Sequence, residues 1–173
     1  MRYVIVSVVK NNAGDFNNNL RKDIFEKFKA KSSKLPAHFT IKSPFESEDI
    51  SELESTLSKF TESHSSAPYK IKGYSNFDNR VIFMKVLMSQ DGKRIHDELI
   101  DSLNEISYIK FDSKDGKDKI FHVTISSKKI QNIFSIIWDY VNQFPCDFDC
   151  VFDNICIYKW ENNTWVLHSE YNL

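Results

Sequence analysis

His38-Phe39-Thr40-Ile41 and His122-Val123-Thr124-Ile125 are two copies of one pattern, the second starting 84 residues after the first (122 against 38). In an extended strand successive side chains point to opposite faces. Each copy therefore sets His and Thr on one face and two apolar residues on the other, a reactive face backed by a core face. Chance recurrence explains this poorly. Five histidines and five threonines in 173 residues give about 0.15 expected His-x-Thr pairs for a short motif; two are present, and Ile follows both.

Outward from these motifs the chain reads as one passage made twice. Residues 2–9 alternate and are rich in Val and Ile, a strand. Lys10 to Asn19 reads as a Gly- and Asn-rich loop, and Leu20, Ile24, Phe25 and Phe28 recur at helical spacing. Lys29 to Ala37 is a loop, and Pro36 favours an extended entry into His38. Pro44 is expected to end the motif strand. Ser47, followed by Glu48 and Asp49, suits a helix start, with Ile50, Leu53, Leu57 and Phe60 as its buried stripe. Strands follow at Tyr69 to Tyr74 and Val81 to Leu87, with a turn over Asn76–Asn79. The order then repeats: a helix marked by Ile95, Leu99, Leu103 and Ile106, a charged loop from Phe111 to Lys119 bending at Gly116, the second motif strand, and a helix marked by Ile130, Ile133, Phe134, Ile137, Trp138 and Val141. Two long strands, roughly 146–159 and 164–171, close the chain through the Asn162-Asn163 turn.

The expected fold is α+β: duplicated βαβ-like halves forming two lobes with antiparallel sheets around a central cleft, all within a single domain spanning residues 1–173. The two His-x-Thr faces are then expected to look at each other.

Composition narrows the partners. The formal net charge is −1, so no global field draws the chain to nucleic acid or to an anionic membrane, and any grip on phosphate is local. Cys146, Cys150 and Cys156 are odd in number and show neither a zinc-ribbon nor a secreted-disulfide pattern, and read as reduced thiols on strands. No stretch reaches membrane-spanning length or resembles a signal segment, so the expected location is the cytoplasm.

Two imidazoles facing one cleft at neutral pH can be one neutral and one protonated. That is the pair needed for displacement at phosphorus: one ring takes a proton from the nucleophile, the other gives one to the departing oxygen. The Thr hydroxyls can donate to non-bridging oxygens where negative charge gathers, and this chemistry needs no metal or other cofactor. By alternation Lys42 falls on the side of His38 and Thr40, and Ser126 on the side of His122 and Thr124; both are expected to bind substrate. Tyr3, Phe45, Tyr74 and Phe77 are candidate platforms for a base, against the commoner role of strand aromatics as core. The Lys-rich 27–34 stretch is either a solvated face or an attractor for anions. The 111–119 loop is a lid or simply mobile.

The paired H-x-T motif in a duplicated α+β chain of this size resembles the 2H phosphoesterase superfamily, which includes LigT-like 2′-5′ RNA ligases and cyclic nucleotide phosphodiesterases. The resemblance implies His38 and His122 as the acid–base pair and Thr40 and Thr124 as phosphate-binding hydroxyls. It also implies a substrate that is a nucleotide or RNA end with a cyclic phosphate (a 2′,3′-cyclic nucleotide or ADP-ribose cyclic phosphate) or a 2′-5′ linkage. No membrane partner is expected from the charge and segment lengths, and the chain is expected to be a monomer. Ligation, the same groups run in reverse, and a binding module with little turnover are the alternatives. A zinc site would need Cys146, Cys150, His64, His96 or His168 to join the motif histidines, and their spacing does not suit it.

Overall fold

The two motif strands are edge strands of two separate four-stranded antiparallel sheets, ordered β2-β1-β7-β8 and β5-β4-β3-β6. The computed structural model describes residues 1–112 and 115–173. Along the chain its elements are β1 (Arg2–Val8), α1 (Asn11–Phe28), β2 (His38–Glu46), α2 (Ser51–Ser63), β3 (Ala67–Phe77), β4 (Val81–Met88), α3 (Gln90–Asn104), β5 (His122–Ser126), α4 (Phe134–Val141), β6 (Asp147–Phe152), β7 (Asn154–Glu161) and β8 (Thr164–Asn172).

The expected fold class holds: two lobes, each an antiparallel sheet with helices. The lobes, however, are not the two halves of the sequence. Strand β3 leaves the first half to pair with β4, and the C-terminal hairpin β7–β8 returns to pair with β1. In each sheet the order is motif strand, its β-α-β partner, and then a strand borrowed from elsewhere in the chain. The Asp78-Asn79 and Asn162-Asn163 turns carry positive φ at both residues (48° and 57°, 48° and 60°), the backbone a tight hairpin demands.

Four local readings are corrected. Helix α1 begins at Asn11, not near Leu20. Its buried face continues backwards through Asn17, Gly14 and Ala13, small or polar residues that a search for large apolar side chains passes over. Gly14 is needed there, since a Cβ would collide with the Val9 carbonyl oxygen. The single strand expected over 146–159 is two strands in different sheets, broken at Asp153. Asn154 anchors the change of sheet by accepting from Val8 N (2.8 Å) and donating to Val8 O (2.9 Å). Pro44 does not end β2, which runs on to Glu46; at an irregular stretch of an edge strand a missing N–H costs no ladder bond. Helix α2 starts at Ser51, behind Asp49, whose carboxylate accepts from Ser51 N at 2.9 Å.

The apolar half of each motif joins the lobes. Phe39, Ile41, Val123 and Ile125 are buried. Phe39 reaches from β2 to meet Tyr69 and Phe152 of the other sheet and Phe121, with ring centroids 5.7, 5.3 and 5.7 Å apart in edge-on geometry. Burying a side chain of this size contributes about 1.5–3 kcal/mol. Among the described residues no helix is long and apolar enough to cross a membrane.

Candidate active site

Strands β2 and β5 lie beside each other across the junction of the lobes. Their burial patterns match: His half-buried, the next residue buried, Thr half-buried, then two buried residues in succession. The two rings are held in the same way. His38 Nδ1 lies 2.7 Å from the Pro36 carbonyl oxygen, and His122 Nδ1 lies 2.7 Å from that of Ile120. A carbonyl only accepts, so Nδ1 carries the hydrogen and, in the neutral ring, Nε2 keeps the lone pair. Neither Nε2, nor the hydroxyl of Thr40 or Thr124, has a protein hydrogen-bond partner among the described residues.

Burial is the main influence on both rings. It pushes the His38 pKa down to about 4, with further pressure from the positive charge of Arg21, His122 and Lys119. His122 is also lowered, by burial and then by Lys119, against the support of the Ile120 carbonyl. A cleft of about 740 Å³ opens on the His122 side, lined by Phe77, Arg80, Val81, Lys119, Ile120 and His122 among others. Phe77 meets the His122 ring edge-on at 5.1 Å, and Phe83 lies at the same distance.

Of the residues singled out from the sequence, His38 and Thr40 on β2 and His122 and Thr124 on β5 lie on neighbouring strands, and His122 lines the cleft. Lys42 and Ser126 are not on their side. In both motif strands the pairing register slips at the same place: Val6 is opposite Thr40 but Ile5 is opposite Lys42, and Phe83 is opposite Thr124 but Ile82 is opposite Ser126. Each slip is a β-bulge at the motif's own Ile, and beyond it the alternation that places Lys42 and Ser126 on the cleft no longer applies. Lys42 is buried and bound to Asp115 Oδ2 at 2.5 Å. The Ser126 hydroxyl is buried and donates to the Lys31 carbonyl at 3.2 Å.

Among the candidate base platforms, Tyr3 and Phe45 are core, and Tyr74 donates its hydroxyl to the Phe144 carbonyl at 3.0 Å. Phe77 alone of the four lines the cleft. In the Lys-rich stretch, Lys34 lies over the Trp160 ring and donates to the Asn163 carbonyl. Of the 111–119 segment, residues 113 and 114 lie outside the described residues. The rest is tied to β2, because Asp115 accepts from Ser43 N (3.0 Å) and Ser43 Oγ (2.5 Å) as well as from Lys42.

Three residues near the motifs escape a sequence reading. Lys119 donates to the main-chain carbonyl of Thr40. Asn17 donates to that of Thr124 at 3.2 Å. Arg21 spends its guanidinium on Ser32 Oγ and on the Leu35 and Ser33 carbonyls. None has a periodicity or motif to mark it. Among the described residues no group of three or more His, Cys, Asp or Glu is placed to hold a metal ion. The three cysteines are free, with Cys150 and Cys156 on strands and Cys146 just before β6.

Comparison with known proteins points the same way. The profile of the 2′-5′ RNA ligase superfamily matches residues 17–164. A Bacillus pumilus protein provisionally named a phosphoesterase is 24% identical over 182 residues, covering 100% of this chain and 98% of its own. A Geobacillus relative with the same provisional name is 24% identical over 178 residues, covering 99% and 95%. Among solved structures, a Thermus thermophilus protein superposes with a TM-score of 0.73 at 12% identity, covering 100% of this chain and 98% of that one. E. coli LigT complexed with 3′-AMP gives 0.57 at 12% identity, covering 99% and 96%.

Proposed function

The chain belongs to the 2′-5′ RNA ligase superfamily, and on that premise we propose that it is a metal-independent phosphoesterase acting on a cyclic phosphate or a 2′-5′ phosphodiester of a nucleotide or RNA end. The observation that carries this reading is the matched anchoring of the two rings. Each Nδ1 is tied to a carbonyl two residues earlier, which leaves both Nε2 atoms free for one substrate. Substrate phosphorus sits between them. One neutral Nε2 takes a proton from water as its oxygen bonds to phosphorus, and the other, protonated, gives its proton to the ribose oxygen as the P–O bond breaks. Exchange with solvent resets the pair. The Thr40 and Thr124 hydroxyls donate to the non-bridging oxygens. Lys42, bound to Asp115, and Ser126, bound to the Lys31 carbonyl, act as supports of the two motif strands.

With both imidazoles held low, the unliganded pair is mostly neutral at pH 7. A bound phosphate anion raises both pKa values and so supplies the protonated partner. The relatives' provisional naming as phosphoesterases, and the capture of 3′-AMP by the structurally similar LigT, support a nucleotide substrate. The test is a panel of 2′,3′-cyclic nucleotides, ADP-ribose cyclic phosphate and 2′-5′ dinucleotides, with product regiochemistry read by phosphorus NMR. Turnover that survives EDTA is the expected result, and no turnover across the panel would overturn the reading.

A further inference from the structure

Lys119 closes the loop that leads into β5 and stands between the two motifs. Its ammonium donates to the Thr40 carbonyl on one motif strand. The next residue, Ile120, supplies the carbonyl that holds the His122 ring on the other. Lys119 lines the same cleft as His122, and its charge is felt by both His38 and His122.

What sets it apart from the other buried and half-buried lysines among the described residues is its missing counter-charge. Lys42 has Asp115, Lys93 has Asp97, and Lys117 has Asp101. Half-buried Lys119 has no carboxylate within ion-pair distance among the described residues. The carboxylate that acts on it through space, Asp115, is already bonded to Lys42 and to Ser43. A partly desolvated ammonium without an anion is costly, and burial pulls its pKa down to about 8.

The Thr40 carbonyl does not explain the charge. The equivalent carbonyl in the other motif, that of Thr124, is held by the neutral amide of Asn17. One carbonyl also uses only one of the three hydrogens of an ammonium.

We propose that Lys119 is a phosphate-binding residue of the cleft, its ammonium donating to a non-bridging oxygen of the phosphate held between His38 and His122. The proposal rests on the phosphoesterase reading and names the charge that the substrate's anion meets.

Inorganic phosphate is the probe, titrated at pH 6.5 into the wild type and into three variants. Lys119→Gln keeps a donor for the Thr40 carbonyl and removes the charge, so the fold is expected to survive, as a thermal melt will check. It should bind phosphate at least about tenfold more weakly, the size of one charged hydrogen bond. Lys119→Arg should stay within about threefold of wild type, since it restores the charge. Lys117→Gln, at an exposed pair with Asp101, should bind as wild type. In Lys119→Gln the pKa values of His38 and His122 should both rise, since the Lys119 charge lowers both; this checks that the charge has been removed beside the rings, and the phosphate affinity decides the role. Wild-type affinity in folded Lys119→Gln overturns the proposal. Turnover of cyclic nucleotides separates the two ideas. An active wild type with unchanged phosphate binding in Lys119→Gln sinks only the role of Lys119; an inactive wild type whose phosphate binding needs the Lys119 charge sinks only the phosphoesterase reading.

Discussion

The two motif strands are alike in everything that aims the reactive groups and different in what surrounds them. In β2 and in β5 the ring is fixed through Nδ1 at 2.7 Å, the Thr faces the same side as the His, and a bulge falls at the following Ile. Their neighbourhoods then diverge. His38 sits with Arg21 and Lys119 pressing on its charge, and burial takes its pKa to about 4. His122 stands at the cleft with its ring packed against both Phe77 and Phe83. Four residues after the histidines, β2 carries a buried ion pair and β5 a buried hydroxyl. The two motifs share the geometry that the proposed chemistry at one phosphorus atom requires and differ in the rest.

The largest effect that would break this likeness is loss of either ring. His38→Ala and His122→Ala should each lower kcat/KM by at least about 10³-fold with the melting temperature little changed; near-full activity in one of them would mean the motifs are not partners. The pH dependence of kcat/KM should be a bell belonging to the pair, centred below the ordinary imidazole range because both rings are held down, with its acid limb near pH 4. A bell centred at or above pH 7 would contradict the burial that sets these values.

The comparison sharpens at positions 42 and 126. Asp115→Ala leaves the Lys42 ammonium buried without its partner, and urea unfolding should show a loss of about 3–5 kcal/mol. Ser126→Ala removes one buried hydrogen bond and should cost about 1 kcal/mol. Equal losses at the two sites would show that Lys42–Asp115 is not the buried pair described.

A further effect is on stability against pH. His38 and His96 both have pKa values lowered to about 4 from an unfolded value near 6.5. The unfolded chain therefore binds more protons between those values, and the stabilising contribution is full above pH 6.5 and lost as pH falls through 4. Part of the acid sensitivity should disappear in His38→Ala, as measured by melting temperature between about pH 7 and 4.

Much of the fold was legible because its signals are local. The repeated His-x-Thr-Ile, the helical stripes of α2 and α3 and the Asn-rich turns each state their own conformation. Which sheet a strand joins is a long-range matter, and nothing in residues 146–159 marks the switch at Asp153. Helix α1 was partly hidden because its early buried positions are Ala13, Gly14 and Asn17, chosen for close approach rather than apolar bulk. In the site, the four motif residues could be read from alternation. Lys42 and Ser126 could not, since a bulge leaves no trace in residue type. Lys119 and Asn17 act through carbonyls brought near by the fold, and sequence spacing carries no record of that.

The account stands on two imidazoles sharing one phosphate. Nitrogen NMR of the histidine rings during a titration with inorganic phosphate tests this most directly. Both Nε2 signals, those of His38 and His122, should shift along one saturation curve with a common midpoint while both Nδ1 signals move little. A response confined to one ring, or two curves with different midpoints, would contradict it.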